Sequence, residues 1–175
     1  VCSSDLPLLY PLILRLPWKR IITPNPKISL RRIWHGFFAM SAIILPLSAI
    51  DLFMNEKDYN FTFDLGAFLP YLVVAMVLLP VQTTSEEFLF RGWFLQWNNN
   101  GKIPRIIVII INSSLFALPH MFNPEVQGQY PLAFLYYASA GAMLSMATLR
   151  DGTLELAIGA HFANNLLAGT LVSDR

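Results

Sequence analysis

The sequence predicts an all-α, polytopic transmembrane helix bundle with about five full spans, and three observations carry that prediction. Of 175 residues, 55% are hydrophobic and only 13% charged, where soluble domains carry about 25% charged. Mean hydropathy is +0.50. Five stretches contain no Asp, Glu, Lys or Arg: Ile33–Ile50 (18 residues), Leu65–Ser85 (21), Ile106–Pro124 (19), Val126–Leu149 (24) and Leu156–Ser173 (18). A helix crosses the hydrocarbon core with about 20 mostly apolar residues and satisfies its own backbone groups there. Together the five runs hold 100 of the 175 residues, which leaves too little polar surface for a soluble globule. Lys and Arg total 12 against 11 Asp and Glu, so there is no basic field for nucleic acid. A single Cys excludes a disulfide framework and a multi-Cys metal site.

Each element follows in chain order. Val1-Cys2-Ser3-Ser4-Asp5-Leu6 reads like one frame of a sequencing adapter, so residues 1–6 are expected to be non-native and residues 7–175 to form one membrane domain. Pro7–Trp18 is apolar but broken by Pro7, Pro11, Arg15 and Pro17; it is too short to span and reads as a truncated or interfacial segment. Thr23-Pro24-Asn25-Pro26 reads as a turn before the first span. His35, beside Arg31 and Arg32, belongs at the edge of that span. The second span does not stop at Ser85: apolar content continues to Trp97, and a turn appears only at Asn98–Gly101. A helix over about Pro70–Trp97 is therefore long, and tilted or kinked near Pro80. The fourth span carries a small-residue face, Ala138, Gly141, Ala142 and Ser145, which suits packing within the bundle as well as a dimer. Trp18, Trp34, Trp93, Trp97 and Tyr130 fall near span ends, as an interfacial aromatic belt does.

With alternating spans, Arg15, Lys19, Arg20, Lys27, Arg31, Arg32, Lys102, Arg105 and Arg150 share one side. Lys57 and Arg175 fall on the other, with six acids. The positive-inside rule places the basic side in the cytoplasm.

Glu86, Glu87 and Arg91 lie inside the second span, where ionisable groups are expensive and usually mark function. Glu87 and Arg91 are four apart on one helix face, the acid first, which is the favourable order. Glu86 lies about 100° around the helix, so Glu87 is the better ion-pair partner and Glu86 the freer to do chemistry. Phe116–His120 closes the third span, and His161 and Asn165 lie one turn apart in the fifth. Counted from the basic turns, Glu86, His161 and Asn165 come out about 18, 14 and 20 Å deep, and His120 about 21–28 Å. His120 joins the others if its helix tilts or starts late after Pro104. A glutamate, two histidines and an amide converging in a low-dielectric cavity are the parts of a hydrolytic site. The same residues are also compatible with a non-catalytic scaffold or immunity protein, or with a small proton-coupled transporter. No Gly-x-Ser-x-Gly elbow and no intramembrane aspartate pair is present.

Glu86-Glu87-x-x-x-Arg91, Phe116-x-x-x-His120 and His161-x-x-x-Asn165, in that order on hydrophobic spans, resemble the three motifs of the CAAX protease and bacteriocin-processing family. That family comprises intramembrane proteases and includes the type II CAAX prenyl endopeptidases. The resemblance covers roughly residues 69–171. It implies an intramembrane endopeptidase of a bacterial cytoplasmic membrane, surrounded by lipid and acting on a protein or peptide substrate. Glu86 is implied to activate water with help from His120, His161 and Asn165 to stabilise the oxyanion, and Glu87, Arg91 and Phe116 to order the site. The family is commonly called metalloprotease, and Glu86, His120 and His161 are the residues that a zinc ion would use. The chain lacks His-Glu-x-x-His, and a glutamate-activated water without a metal cofactor is the favoured reading.

Overall fold

A computed structural model describes residues 19–60, 63–99, 102–126 and 128–171. Residues 1–6 and Pro7–Trp18, with the expectations attached to them, lie outside the described residues. Among the described residues there is no strand. The helices are α1 (Lys19–Ile22), α2 (Leu30–Met54), α3 (Leu65–Glu87), α4 (Leu95–Asn98), α5 (Arg105–His120), α6 (Tyr130–Asp151) and α7 (Glu155–Leu171). A π-helical turn, Phe88–Phe94, joins α3 to α4.

Three helices are long and apolar enough to cross a membrane: Leu30–Met54, the continuous run Leu65–Phe94, and Tyr130–Asp151. Only 6% of the most apolar window of Leu65–Phe94 is buried. Such a surface is stable only in lipid, and the chain is an all-α membrane bundle. Two further apolar helices accompany these three, and they are shorter among the described residues. Helices α5 and α7 have 16 and 17 residues, or about 24–26 Å of rise. The third charge-free stretch does not stay helical to Pro124, because the helix ends at His120, one residue after Pro119. Helix α7 starts at Glu155, just after the reversal at Gly152, whose φ of 72° suits glycine and whose N–H donates to Thr148 O at 2.8 Å.

The long helix also departs from expectation. It begins at Leu65, capped by Asp64 accepting from the Gly66 N–H at 2.8 Å, and stays α-helical through Pro70 and Pro80. It also carries a π turn at residues 88–94.

Packing concentrates on α7, which lies against α2 and α3, while α5 packs on α6. Helices α2 and α7 approach backbone to backbone. A Cβ on Gly36 would sit 2.1 Å from Leu156 O, and one on Gly159 would sit 1.8 Å from Ile33 O. At one end of the bundle Arg32 pairs with Asp151 and, at 2.9 Å, with Glu155. There the Ser29 N–H donates to Glu155 Oε1 at 2.7 Å, and the Leu154 N–H to Ile22 O at 2.7 Å. Arg20, Asn99 and Gly152 line one depression at this end.

Candidate active site

The site is built where the π turn of the long helix faces α5, α6 and α7. A π turn shifts the backbone bonding from four residues to five, and here the Leu95 N–H donates to Phe90 O. That carbonyl also accepts from Asn112 Nδ2 on α5 at 2.7 Å. Asn112 Oδ1 in turn accepts from Ser145 Oγ at 2.9 Å, so α5 and α6 are tied to the irregular turn through buried polar groups. A satisfied network of this kind rigidifies its surroundings.

Arg91 is fully buried. Its Nη1 donates to Glu87 Oε1 at 2.9 Å and its Nη2 to Gly141 O at 3.1 Å. The guanidinium lies 4.3 Å from the Phe116 ring centroid, a cation–π contact in a dry setting. Gly141 permits this approach: a Cβ there would lie 3.1 Å from Ser113 Cα and 3.2 Å from Phe116. The small-residue face of the fourth span is therefore used within the bundle at Gly141 and Ser145, both buried.

Glu87 Oε1 also accepts from His161 Nδ1 at 2.8 Å. His161 turns its other nitrogen toward Glu86, with Nε2 3.6 Å from Oε2. His120 Nε2 lies 4.0 Å from the same oxygen. Its ring is fixed by Nδ1 donating to Phe116 O at 2.8 Å and by stacking on Tyr137 at 4.3 Å. Glu86 Oε1 accepts from Gln82 Nε2 at 3.0 Å, whereas Oε2 is buried and has no hydrogen-bond partner. Helix α5 starts directly after Pro104 and carries His120 as its last residue.

A cavity adjoins the imidazoles. It is lined by Phe116, His120, His161, Asn164, Asn165 and side chains of α2 and α6 including Met40, Tyr136 and Tyr137. Its volume, measured for the centre of a water-sized sphere, is about 20 Å³, room for about one water. Glu86 does not itself line this cavity; it reaches the lining through its approach to the two imidazoles. Asn165 Oδ1 accepts from Asn164 Nδ2 at 3.2 Å. Glu86, Glu87, Arg91, Phe116, His120 and His161 thus form one contiguous group, and Asn165 joins it across the cavity. His35 is exposed on α2 and lines a separate depression with Arg31 and Trp34.

Among the described residues, no group of three His, Cys, Asp or Glu side chains is arranged to hold a metal ion. The 4.0 Å between Glu86 Oε2 and His120 Nε2 exceeds the roughly 3.4 Å edge of a tetrahedral zinc site with bonds near 2.1 Å.

Residues 66–167 match the family model described as "Type II CAAX prenyl endopeptidase Rce1-like". The chain belongs to this family. The protein YyaK of Bacillus subtilis (strain 168), itself described as uncharacterized, is 32% identical over 165 residues, covering 93% of this chain and 55% of its own. The chain spans about half the length of this curated relative. No solved structure matches.

Sequence reasoning missed Asn112, Ser145 and Tyr137 as parts of the Rce1-like site. The available signal was one amide in an otherwise apolar run, Ile106–Ile111 before it. Its partner, the Phe90 carbonyl within the π turn, has no signature in the sequence.

Proposed function

We propose that this chain is the catalytic part of an intramembrane endopeptidase in which Glu86 activates a water molecule. The observation that supports the reading best is the buried, unpartnered Oε2 of Glu86, held between two imidazole nitrogens at 3.6 and 4.0 Å. A carboxylate oxygen left without a donor in a dry setting is costly, and a water bound beside it answers that need. The same oxygen is then poised to take the water's proton as the oxygen attacks a peptide carbonyl.

His120 orients the water. Its ring is held rigidly by Phe116 O and Tyr137, so its Nε2 has one direction to offer. Asn165 and His161, one turn apart on α7, face the cavity and supply donors to the oxyanion, where low dielectric strengthens each bond. Glu87 and Arg91 act through His161 and Gly141 and do not touch the substrate. The reaction adds one water across a C–N bond and draws on no metal cofactor. The protein resides in the bacterial cytoplasmic membrane with its basic end in the cytoplasm, amid lipid, and its partner is a protein or peptide substrate.

The test is incubation of purified wild-type and Glu86→Gln protein with a peptide library, with and without a chelator. The reading expects cleavage by the wild type in both conditions and none by the folded variant. A Glu86→Gln protein that cuts as fast as wild type, or wild-type cleavage abolished by the chelator and restored by zinc, contradicts it. Proton or solute flux in vesicles without a peptide product points instead to a transporter.

A further inference from the structure

The first turns of α2 show one face to the bundle and another to its surroundings. Gly36 and Met40 are buried, against α7 and the cavity beside the imidazoles. Arg31, Trp34, His35 and Phe38 are exposed and line one open depression of about 490 Å³. Arg31 and His35 are four residues apart, as are Trp34 and Phe38, so a polar row and an aromatic row run side by side along the helix. The aromatic row is held in place. Trp34 stacks on Phe38 at 5.7 Å and meets the edge of Phe37 at 5.3 Å, and Phe37 packs on Phe162 of α7 at 5.3 Å.

Charge on this face is uncompensated. Residues 19–35 hold five cations and no acid. Asp151 and Glu155, which meet α2 from the ends of α6 and α7, both pair with Arg32. Among the described residues, Arg31 and His35 have no hydrogen-bond or ion-pair partner. Depth then selects the occupant. Helix α2 has 25 residues, or about 37 Å of rise, against a hydrocarbon core of about 30 Å. Its first turn therefore reaches the headgroups, and Phe38, about 10 Å further along than Arg31, reaches the upper acyl chains. A water-soluble anion would touch the polar row alone, whereas a lipid covers both rows.

We propose that this face of α2 is a binding site for an anionic glycerophospholipid. The guanidinium of Arg31 takes the phosphate through its fork of N–H donors, and His35 adds an N–H, which even a neutral imidazole keeps. An acyl chain lies along Trp34 and Phe38. A lipid of zero net charge brings its own cation to a face that already carries an unpaired one, so the net charge of the headgroup decides occupancy. The site is separate from the residues around Glu86, and the proposal holds whether or not the protein cuts peptides.

The test reconstitutes the full chain in phosphatidylcholine vesicles that contain a minor fraction of brominated phosphatidylglycerol or, in a matched set, brominated phosphatidylcholine. Bromine quenches tryptophan at contact range. Of the four tryptophans, Trp34 is isolated by the difference between wild type and Trp34→Phe. The proposal expects Trp34 to be reached preferentially by phosphatidylglycerol, by about five-fold, the share of one cation at a charged lipid surface. Arg31→Gln removes that preference. Lys27→Gln deletes the same charge from an exposed residue that does not line the depression, and keeps it. Equal quenching by the two lipids overturns the proposal, and so does an equal loss in the two charge variants, which signifies a diffuse field alone. A preference erased by millimolar inorganic phosphate overturns it in favour of a free-anion site. A Trp34 that neither lipid quenches is covered by protein, a second copy or another part of a longer chain, and overturns it as well.

Discussion

Substituting alanine at Gly159 perturbs the α2–α7 crossing on which the site depends. The added Cβ would lie 1.8 Å from Ile33 O and 2.7 Å from its carbonyl carbon, where ordinary contact begins at 3.4 Å. The helices must part by about 1.6 Å, and the obstacle is backbone, which cannot rotate away. Overpacking a tight core costs about 1–3 kcal/mol, and a backbone clash of this depth belongs at or above the upper end. Gly36 faces α7 in the same way, 2.1 Å from Leu156 O, so no compensating slide relieves both. Gly66→Ala is the control, because its Cβ meets only the side chain of Asp64, at 3.2 Å. Thermal midpoints in one detergent compare the three proteins. Gly159→Ala is expected to fall by the equivalent of about 3 kcal/mol and to lose cleavage, since His161 lies two residues further along α7. A Gly159→Ala protein as stable as Gly66→Ala would refute the close crossing.

Three further outcomes follow from the site. Asn165→Ala is expected to lower kcat by about 10²–10³, as loss of an oxyanion donor does, with an unchanged melting midpoint; an unaltered kcat removes Asn165 from the chemistry. Arg91→Met leaves Glu87 buried without its guanidinium and is expected to cost about 3–5 kcal/mol. Adding Glu87→Gln should return part of that loss, and a double variant no better than the single one contradicts the pairing. Asn112→Ala removes the bonds that tie Ser145 Oγ and Phe90 O to α5, though Ser145 Oγ keeps Gly141 O at 2.7 Å and Phe90 O keeps the Leu95 N–H, and is expected to cost about 1–2 kcal/mol in thermal unfolding; a neutral result shows that the π turn needs no support from α5.

Much of this was legible in the sequence because membranes impose a simple rule. Charge is costly at depth, so the gaps between charges marked the five helices, and the charges within a gap marked the site. The i,i+4 spacing of Glu87 and Arg91 identified their pair and left Glu86 apart, as the 2.9 Å bond between Arg91 and Glu87 shows. Helix lengths were less legible. Absence of charge alone does not carry α5 to Pro124, the end of its charge-free run; the helix stops at His120. The π turn could not be read at all: Phe88–Phe94 has no proline, and its extra residue per turn answers to tertiary contacts of Arg91 and Asn112. The bond from His161 to Glu87, in place of a direct one to Glu86, is likewise a matter of side-chain direction that spacing does not encode.

Single-turnover cleavage of one identified peptide by wild-type, Glu86→Asp and Glu86→Gln protein, in the same lipid vesicles, tests the role of Glu86 most directly. A general base contributes about 10²–10⁴ in rate. Glu86→Gln should lose at least that much while unfolding at the wild-type midpoint, and Glu86→Asp should retain a measurable fraction. A Glu86→Gln rate within a few-fold of wild type would show that the proton of the attacking water goes elsewhere.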